Sequence, residues 1–134
     1  MKLADESTET RRFLVFRIDG IEYALPMESI REVLMPNSLE AAPARRPGPT
    51  YYRVKARGLD TAVLYFGRPK PLGPRNRVLL LDGNAGLLVD SVSRVEDVPP
   101  DRQADGRVRL GAKWRNIFDA ARLIDWALEQ TPAG

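Results

Sequence analysis

Phe13-Leu14-Val15-Phe16-Arg17-Ile18-Asp19-Gly20-Ile21-Glu22-Tyr23-Ala24-Leu25 is the stretch on which the architecture turns. Its first six residues are rich in strand-forming side chains. Asp19-Gly20 can adopt the positive backbone angles of a tight turn, after which Glu22 to Leu25 pairs back. The segment predicts a β-hairpin. A second aspartate-glycine pair, Asp82-Gly83, lies between the apolar runs Arg77-Val78-Leu79-Leu80-Leu81 and Ala85-Gly86-Leu87-Leu88-Val89. Each hairpin leads into a similar pattern, Ser29-Ile30-Arg31-Glu32-Val33 and Ser91-Val92-Ser93-Arg94-Val95, with the second copy one residue shorter between turn and serine. One structural unit used twice, without an obvious reactive site, favours a binding module over an enzyme.

The surrounding chain extends this plan. Pro26 suits the first turn of a helix, and Met27, Ile30, Val33 and Leu34 recur at helical spacing, so a short one-sided helix is expected to end near Leu34. Pro36 to Pro49 carries too many prolines for regular structure and reads as a long connection. Tyr51 to Ala56 and Thr61 to Phe66 have strand character on either side of Arg57-Gly58, which predicts another hairpin. Gly67 to Arg75 is a proline-rich basic connector. The hairpin that follows it is almost continuously apolar, as a sheet covered on both faces requires, and should form the centre of a second lobe. Arg107-Val108-Arg109-Leu110 reads as a strand. Asn116 to Gln130 reads as a carboxy-terminal helix, with Ile117-Phe118 able to finish a strand first.

Composition removes several functional classes. The 134 residues include no cysteine and no histidine. Thiolate nucleophiles, cysteine zinc sites and the usual Ser-His-Asp and Cys-His arrangements therefore cannot be built. No glycine-rich phosphate loop, paired-carboxylate motif or metal-ligand cluster is visible, so the expectation is a non-enzyme that needs no cofactor. A formal net charge of +3 is weak for a dedicated nucleic-acid binder. Residues 1–12 are polar and charged, with neither signal-peptide nor anchor character, and no apolar run reaches bilayer-spanning length. A cytoplasmic protein is expected, with tails at 1–12 and 131–134 and one domain over 13–130.

Phe13 to Leu34 resembles the opening of CheW-like domains, the adaptors of bacterial chemotaxis arrays, and Gly86-Leu87-Leu88-Val89-Asp90-Ser91-Val92 resembles that family's second signature. Arg57-Gly58 stands where the family shows Asn-Leu-Arg-Gly, and Ile117 to Ile124 is similar to its closing strand and helix. The resemblance implies a mainly β fold of two small SH3-like β-barrel subdomains with short helices and a C-terminal helix. It also implies an adaptor that couples a chemoreceptor-type protein to the regulatory domain of a histidine kinase. Partner-binding positions carried over from the family are Ile30, Glu32, Tyr52, Lys55, Arg57 and Gly58. The chain also departs from the pattern. Lys55-Ala56 replaces Asn-Leu, Tyr52 stands where glycine is common, and Ala62 and Tyr65 replace a proline and an aspartate. A divergent adaptor for a non-chemotactic partner is therefore the first alternative.

A nucleic-acid-binding β-barrel is the second, because Tyr51, Tyr52, Arg53, Lys55 and Arg57 interleave rings with cations. Strand alternation, however, separates Arg53, Lys55 and Arg57 from Tyr52, Val54 and Ala56. The favoured reading therefore has no nucleic-acid partner and no direct membrane insertion. Trp114 and Trp126 are expected to be packing residues.

Overall fold

The first hairpin closes through two residues whose φ angles are +51° at Asp19 and +78° at Gly20, with Ile18 opposite Ile21. Positive φ at both central positions suits the right-handed twist of the flanking strands, and Asp-Gly supplies it at little steric cost. The protein is described by a computed structural model over residues 9–41, 50–56, 59–81, 85–123 and 125. Within these residues the strands are β1 (Arg11–Ile18), β2 (Ile21–Pro26), β3 (Ile30–Leu34), β4 (Glu40–Ala41), β5 (Thr50–Ala56) and β6 (Leu59–Tyr65). They continue as β7 (Arg77–Leu81), β8 (Ala85–Val89), β9 (Ser91–Val98), β10 (Gln103–Ala104), β11 (Arg107–Leu110) and β12 (Lys113–Asn116). The fold is mainly β. The three hairpins and the β11 strand lie where the sequence places them, while β9, β12 and the two-residue strands β4 and β10 are additions.

The strands form three sheets, ordered β2-β1-β9, β10-β11-β12 and β3-β7-β8-β6-β5-β4. Their pairing shows how the repeated unit is used. β3, the third segment of the first copy, pairs antiparallel with β7 of the second. β9, the third segment of the second copy, pairs antiparallel with β1 of the first. Each copy thus completes the other's sheet. The Asp82 to Asn84 turn lies outside the described residues.

Two cores result, and β1 serves both. Phe13 and Val15 point into the smaller cluster with Ala24, Val98, Val108 and Leu110, whereas Leu14, Phe16 and Ile18 point into the larger one. Period-two alternation on a strand covered on both sides produces this division. β7 and β8 are buried almost throughout, as their apolar runs require. Gly86 lets β8 approach β6 in parallel pairing, since a Cβ there would stand 3.0 Å from Val63 Cγ2 and 3.2 Å from Val78 Cγ1.

The expected helix from Pro26 to Leu34 is not formed. Pro26 instead precedes a 3-10 turn at Met27–Ser29, and Ile30–Leu34 runs as a strand whose exposure alternates residue by residue. Spacings of three and four cannot be told from spacings of two over so short a segment, and the apolar edge of β7 offers five residues a ladder that a one-turn helix lacks. Two β subdomains are present as the two cores, but the ladders of the described residues leave the sheets open rather than closed as barrels. At the carboxy-terminal end Ile117 makes a single parallel bridge to Ala24, and the Phe118 amide donates to the Ala24 carbonyl. Helical backbone follows at residues 120–123 and 125, opened by Asp119, whose carboxylate accepts from the Arg122 amide. The rest of the expected helix lies outside the described residues. Trp114 is 40% exposed rather than packed, with the Arg107 guanidinium over its ring. Trp126 lies outside the described residues.

Candidate functional site

β3 is the outermost strand of the six-stranded sheet, with β7 on one side and no strand pairing on its other edge among the described residues. Ile30 and Leu34 turn inward against the large core. Glu32 is half-buried opposite Leu80. Val33 and Met35 face solvent, at 44% and 54% exposure. An edge strand carrying exposed apolar side chains beside Arg31 and Glu32 is a surface suited to another protein. The family resemblance names Ile30 and Glu32 as partner-binding positions on an expected helix, whose apolar face includes Val33 beside Ile30. A two-residue period over Arg31, Val33 and Met35 is the signal that would have exposed it.

Two of the other expected contact residues lie elsewhere on the same sheet. Tyr52 is half-buried on β5, opposite Val63 and Ala41 and packed against the large core, and Lys55 is exposed opposite Asp60. Arg57 and Gly58, the two residues between β5 and β6, lie outside the described residues. β7, β8 and β6 intervene between β3 and β5, so four strand spacings separate the two sets by roughly 19 Å along the sheet. The four described residues, Ile30 and Glu32 on β3 and Tyr52 and Lys55 on β5, therefore form two patches rather than one. Tyr51 is buried, and the Arg53 guanidinium approaches both Tyr51 Oη and Asp60. These residues consequently do not present the joint ring-and-cation platform that stacking of bases requires.

A polar clasp missed by the sequence reading fixes the connector between β6 and β7. Tyr65 Oη donates to Asp90 Oδ1 at 2.7 Å. Lys70 Nζ donates to Asp90 Oδ2 at 3.0 Å and Asp19 Oδ1 at 3.3 Å, and the Arg68 amide donates to Asp19 Oδ2 at 2.7 Å. The Asp19 amide in turn donates to Asp90 Oδ2 at 2.7 Å. The first turn, the connector and the β8–β9 junction are thereby joined. Burial opposes ionisation of Asp90 most strongly, but the bonds from Tyr65 and Lys70 outweigh it and hold the carboxyl below its ordinary range. Asp19 is held low chiefly by the Arg68 amide. Burial, then the bond to Asp90, pushes the Tyr65 phenol up to about 12. The bond to Asp90 is also the main cause that raises Lys70. Gly67 is required because a Cβ would lie 2.5 Å from Tyr65 Oη.

A second junction centres on Glu22, whose side chain is only 11% exposed. Its carboxylate meets Arg115 at 3.2 Å and Arg17 and Arg94 at 3.4 Å, which ties β1, β2, β9 and β12. Burial again works hardest against ionisation, yet the Arg115 bond and the charges of Arg94 and Arg17 lower the pKa. Both junctions satisfy their charges within the fold. Among the described residues no group of three or more acidic side chains is placed to hold a metal ion, and no helix is long and apolar enough to cross a membrane.

Comparison with known proteins assigns the geometry. The CheW-like domain family model matches residues 12–125. Among solved structures the chain is similar to the scaffolding protein TtCheW from Thermoanaerobacter tengcongensis, at 17% sequence identity and a TM-score of 0.70, over 81% of this chain and 88% of that one. No curated protein matches the sequence. The structural likeness at that identity carries the fold alone, while the family model spans both cores and both copies of the repeated unit. The chain belongs to the CheW-like domain family.

Proposed function

We propose that this protein is a non-enzymatic, cytoplasmic signalling adaptor that holds a chemoreceptor-type protein and the regulatory domain of a histidine kinase in one assembly. The observation that carries the reading is the family match across residues 12–125, and the open β3 edge with Val33 and Met35 exposed supports it. Two patches on one sheet, at β3 and at the β5–β6 end, suit an adaptor. Once one partner is held, the second contact becomes effectively intramolecular, so modest affinities suffice. Apolar side chains supply desolvated area at β3, and Lys55 with Arg57 supplies cations at the other end.

Affinity purification from the native cell tests the reading. Ile30→Asp probes β3 but also touches the large core, so Val33→Lys and Met35→Lys are the fold-sparing variants there, with Arg57→Glu for the other patch. Loss of a kinase or receptor partner from either variant set, with an unchanged circular dichroism spectrum, supports the assignment. Capture that is the same for all of them removes these surfaces. Tyr52 favours a second reading, in which the adaptor serves a non-chemotactic partner. Its ring stands where relatives commonly have glycine and narrows whatever fits against β5. Recovery of a signalling kinase with no receptor in the purified assembly would select that reading.

A further inference from the structure

Several arginines among the described residues meet a carboxylate. Arg11 pairs with Glu28, Arg12 with Asp97, Arg53 with Asp60, and Arg94 with Glu96. Arg75 and Arg77 make no ion pair among the described residues, and both face the same open cleft of about 520 Å³, lined by Arg17, Arg75, Arg77, Ser91, Val92 and Ser93. The third guanidinium there, Arg17, is only partly neutralised, because its 3.4 Å partner Glu22 also serves Arg94 and Arg115. Among the described residues no carboxylate lines this cleft. By contrast, the larger depression of about 790 Å³ beside β10 mixes Arg11 and Arg12 with Glu9, Glu28 and Asp105. The positive sign of the smaller cleft is therefore local.

The cleft is also built. Asn76, buried between Arg75 and Arg77 in the chain, donates to the Val89 carbonyl at 2.9 Å and accepts from the Gly73 amide at 2.6 Å, which fixes the turn that presents Arg75. Arg77 Nη1 donates to the carbonyls of Pro74 at 2.9 Å and Asn76 at 2.7 Å, so its guanidinium is held in place by backbone while its charge stays uncompensated. Asp90, which lines a neighbouring depression together with Arg75, is already engaged by Lys70 and Tyr65. The ladder between β1 and β9 skips Ser93, a bulge that breaks the strand edge there and leaves recognition to side chains. Preoriented guanidiniums with serine hydroxyls match carboxylates. Among the described residues the lining has no aromatic ring on which a base could stack.

We infer that this cleft binds an acidic segment of a partner protein, seating its glutamate or aspartate side chains between Arg17, Arg75 and Arg77. The site extends the adaptor reading to a surface apart from β3 and the β5–β6 end, and rests on that reading only for the ligand being a protein segment. A fluorescein-labelled oligoglutamate peptide titrated with the full chain, and read by anisotropy at low and at physiological salt, tests it. Saturable binding is expected. Arg75→Glu, a change at an exposed position, and the pair Arg75→Ala with Arg77→Ala should each weaken binding about tenfold or more, with Lys113→Glu near wild type as the same charge change elsewhere. Absent binding, equal weakening by Lys113→Glu, or tighter binding of a single-stranded oligonucleotide of matched charge would overturn the inference. Kinase capture by Val33→Lys and Met35→Lys is scored separately, so either reading can fail while the other stands.

Discussion

Asp19 holds two jobs at once. It takes the positive φ that closes the first hairpin, and its carboxylate receives Lys70 and the Arg68 amide from the connector. The first job is legible in Asp19-Gly20. The second is not, because nothing near Asp19 in the chain announces Tyr65, Lys70 or Asp90. Replacing Tyr65 by phenylalanine removes the donor to Asp90 and leaves that carboxylate short of one bond inside the clasp. A loss of about 1–2 kcal/mol is expected, read from the urea midpoint at unchanged slope. The clasp also sets a pH dependence. Asp90 and Asp19 are lowered from 3.8 in the folded state, so their contribution is present above that value and fades as pH falls through the lower folded one. The stability gap between wild type and Asp90→Asn should therefore be full at neutral pH and shrink in acid. Tyr65 runs the other way. Its phenol is raised from 10.0 to about 12, so its stabilisation holds below pH 10 and drains between the two values, an alkaline limb that Tyr65→Phe should flatten.

Strand β1 carries more of the molecule than any single face of it suggests. Leu14→Ala opens the larger core and should cost about 2–5 kcal/mol, a substantial share of a small domain's stability. Phe16 stacks on Tyr23 at 6.0 Å and meets Phe118 at 6.2 Å, which draws the carboxy-terminal segment onto the same core. β3 shows the opposite case. Val33→Lys and Met35→Lys change exposed side chains outside both cores, so stability should stay within about 0.5 kcal/mol of wild type while partner capture falls. Thermal melts beside the purification would separate the two effects. The β1–β2 hairpin could be read locally, since its turn and its alternation agree. β3 could not, because whether Ile30 to Leu34 coils or extends depends on the free edge of β7, which the chain supplies only more than forty residues later.

At the scale of the whole molecule, the exchange of β3 and β9 between the two copies makes neither lobe complete alone. β1 contributes side chains to both cores and β9 crosses back to pair with it. Unfolding should accordingly be a single cooperative transition, with tryptophan fluorescence and far-ultraviolet circular dichroism reporting one midpoint. Two separated midpoints would mean that the lobes are independent. Pairings this distant in sequence should also place refolding in the millisecond-to-second range of non-local β topologies, measurable by stopped flow.

The sequence by itself determined the hairpins, the near-continuous burial of β7 and β8, the repeated unit and the family resemblance. Each is carried by neighbouring residues, through turn angles, strand propensity and apolar runs. It also named Ile30 and Glu32 as surface candidates. Only the tertiary structure decided that β3 is a strand, that each copy lends its third segment to the other, and that Val33 and Met35 are exposed. The Tyr65–Asp90–Lys70 clasp and the gathering of Arg17, Arg75 and Arg77 belong there too. These depend on which edges and charges meet across long separations, and local propensity holds no information about a partner that folding alone brings near.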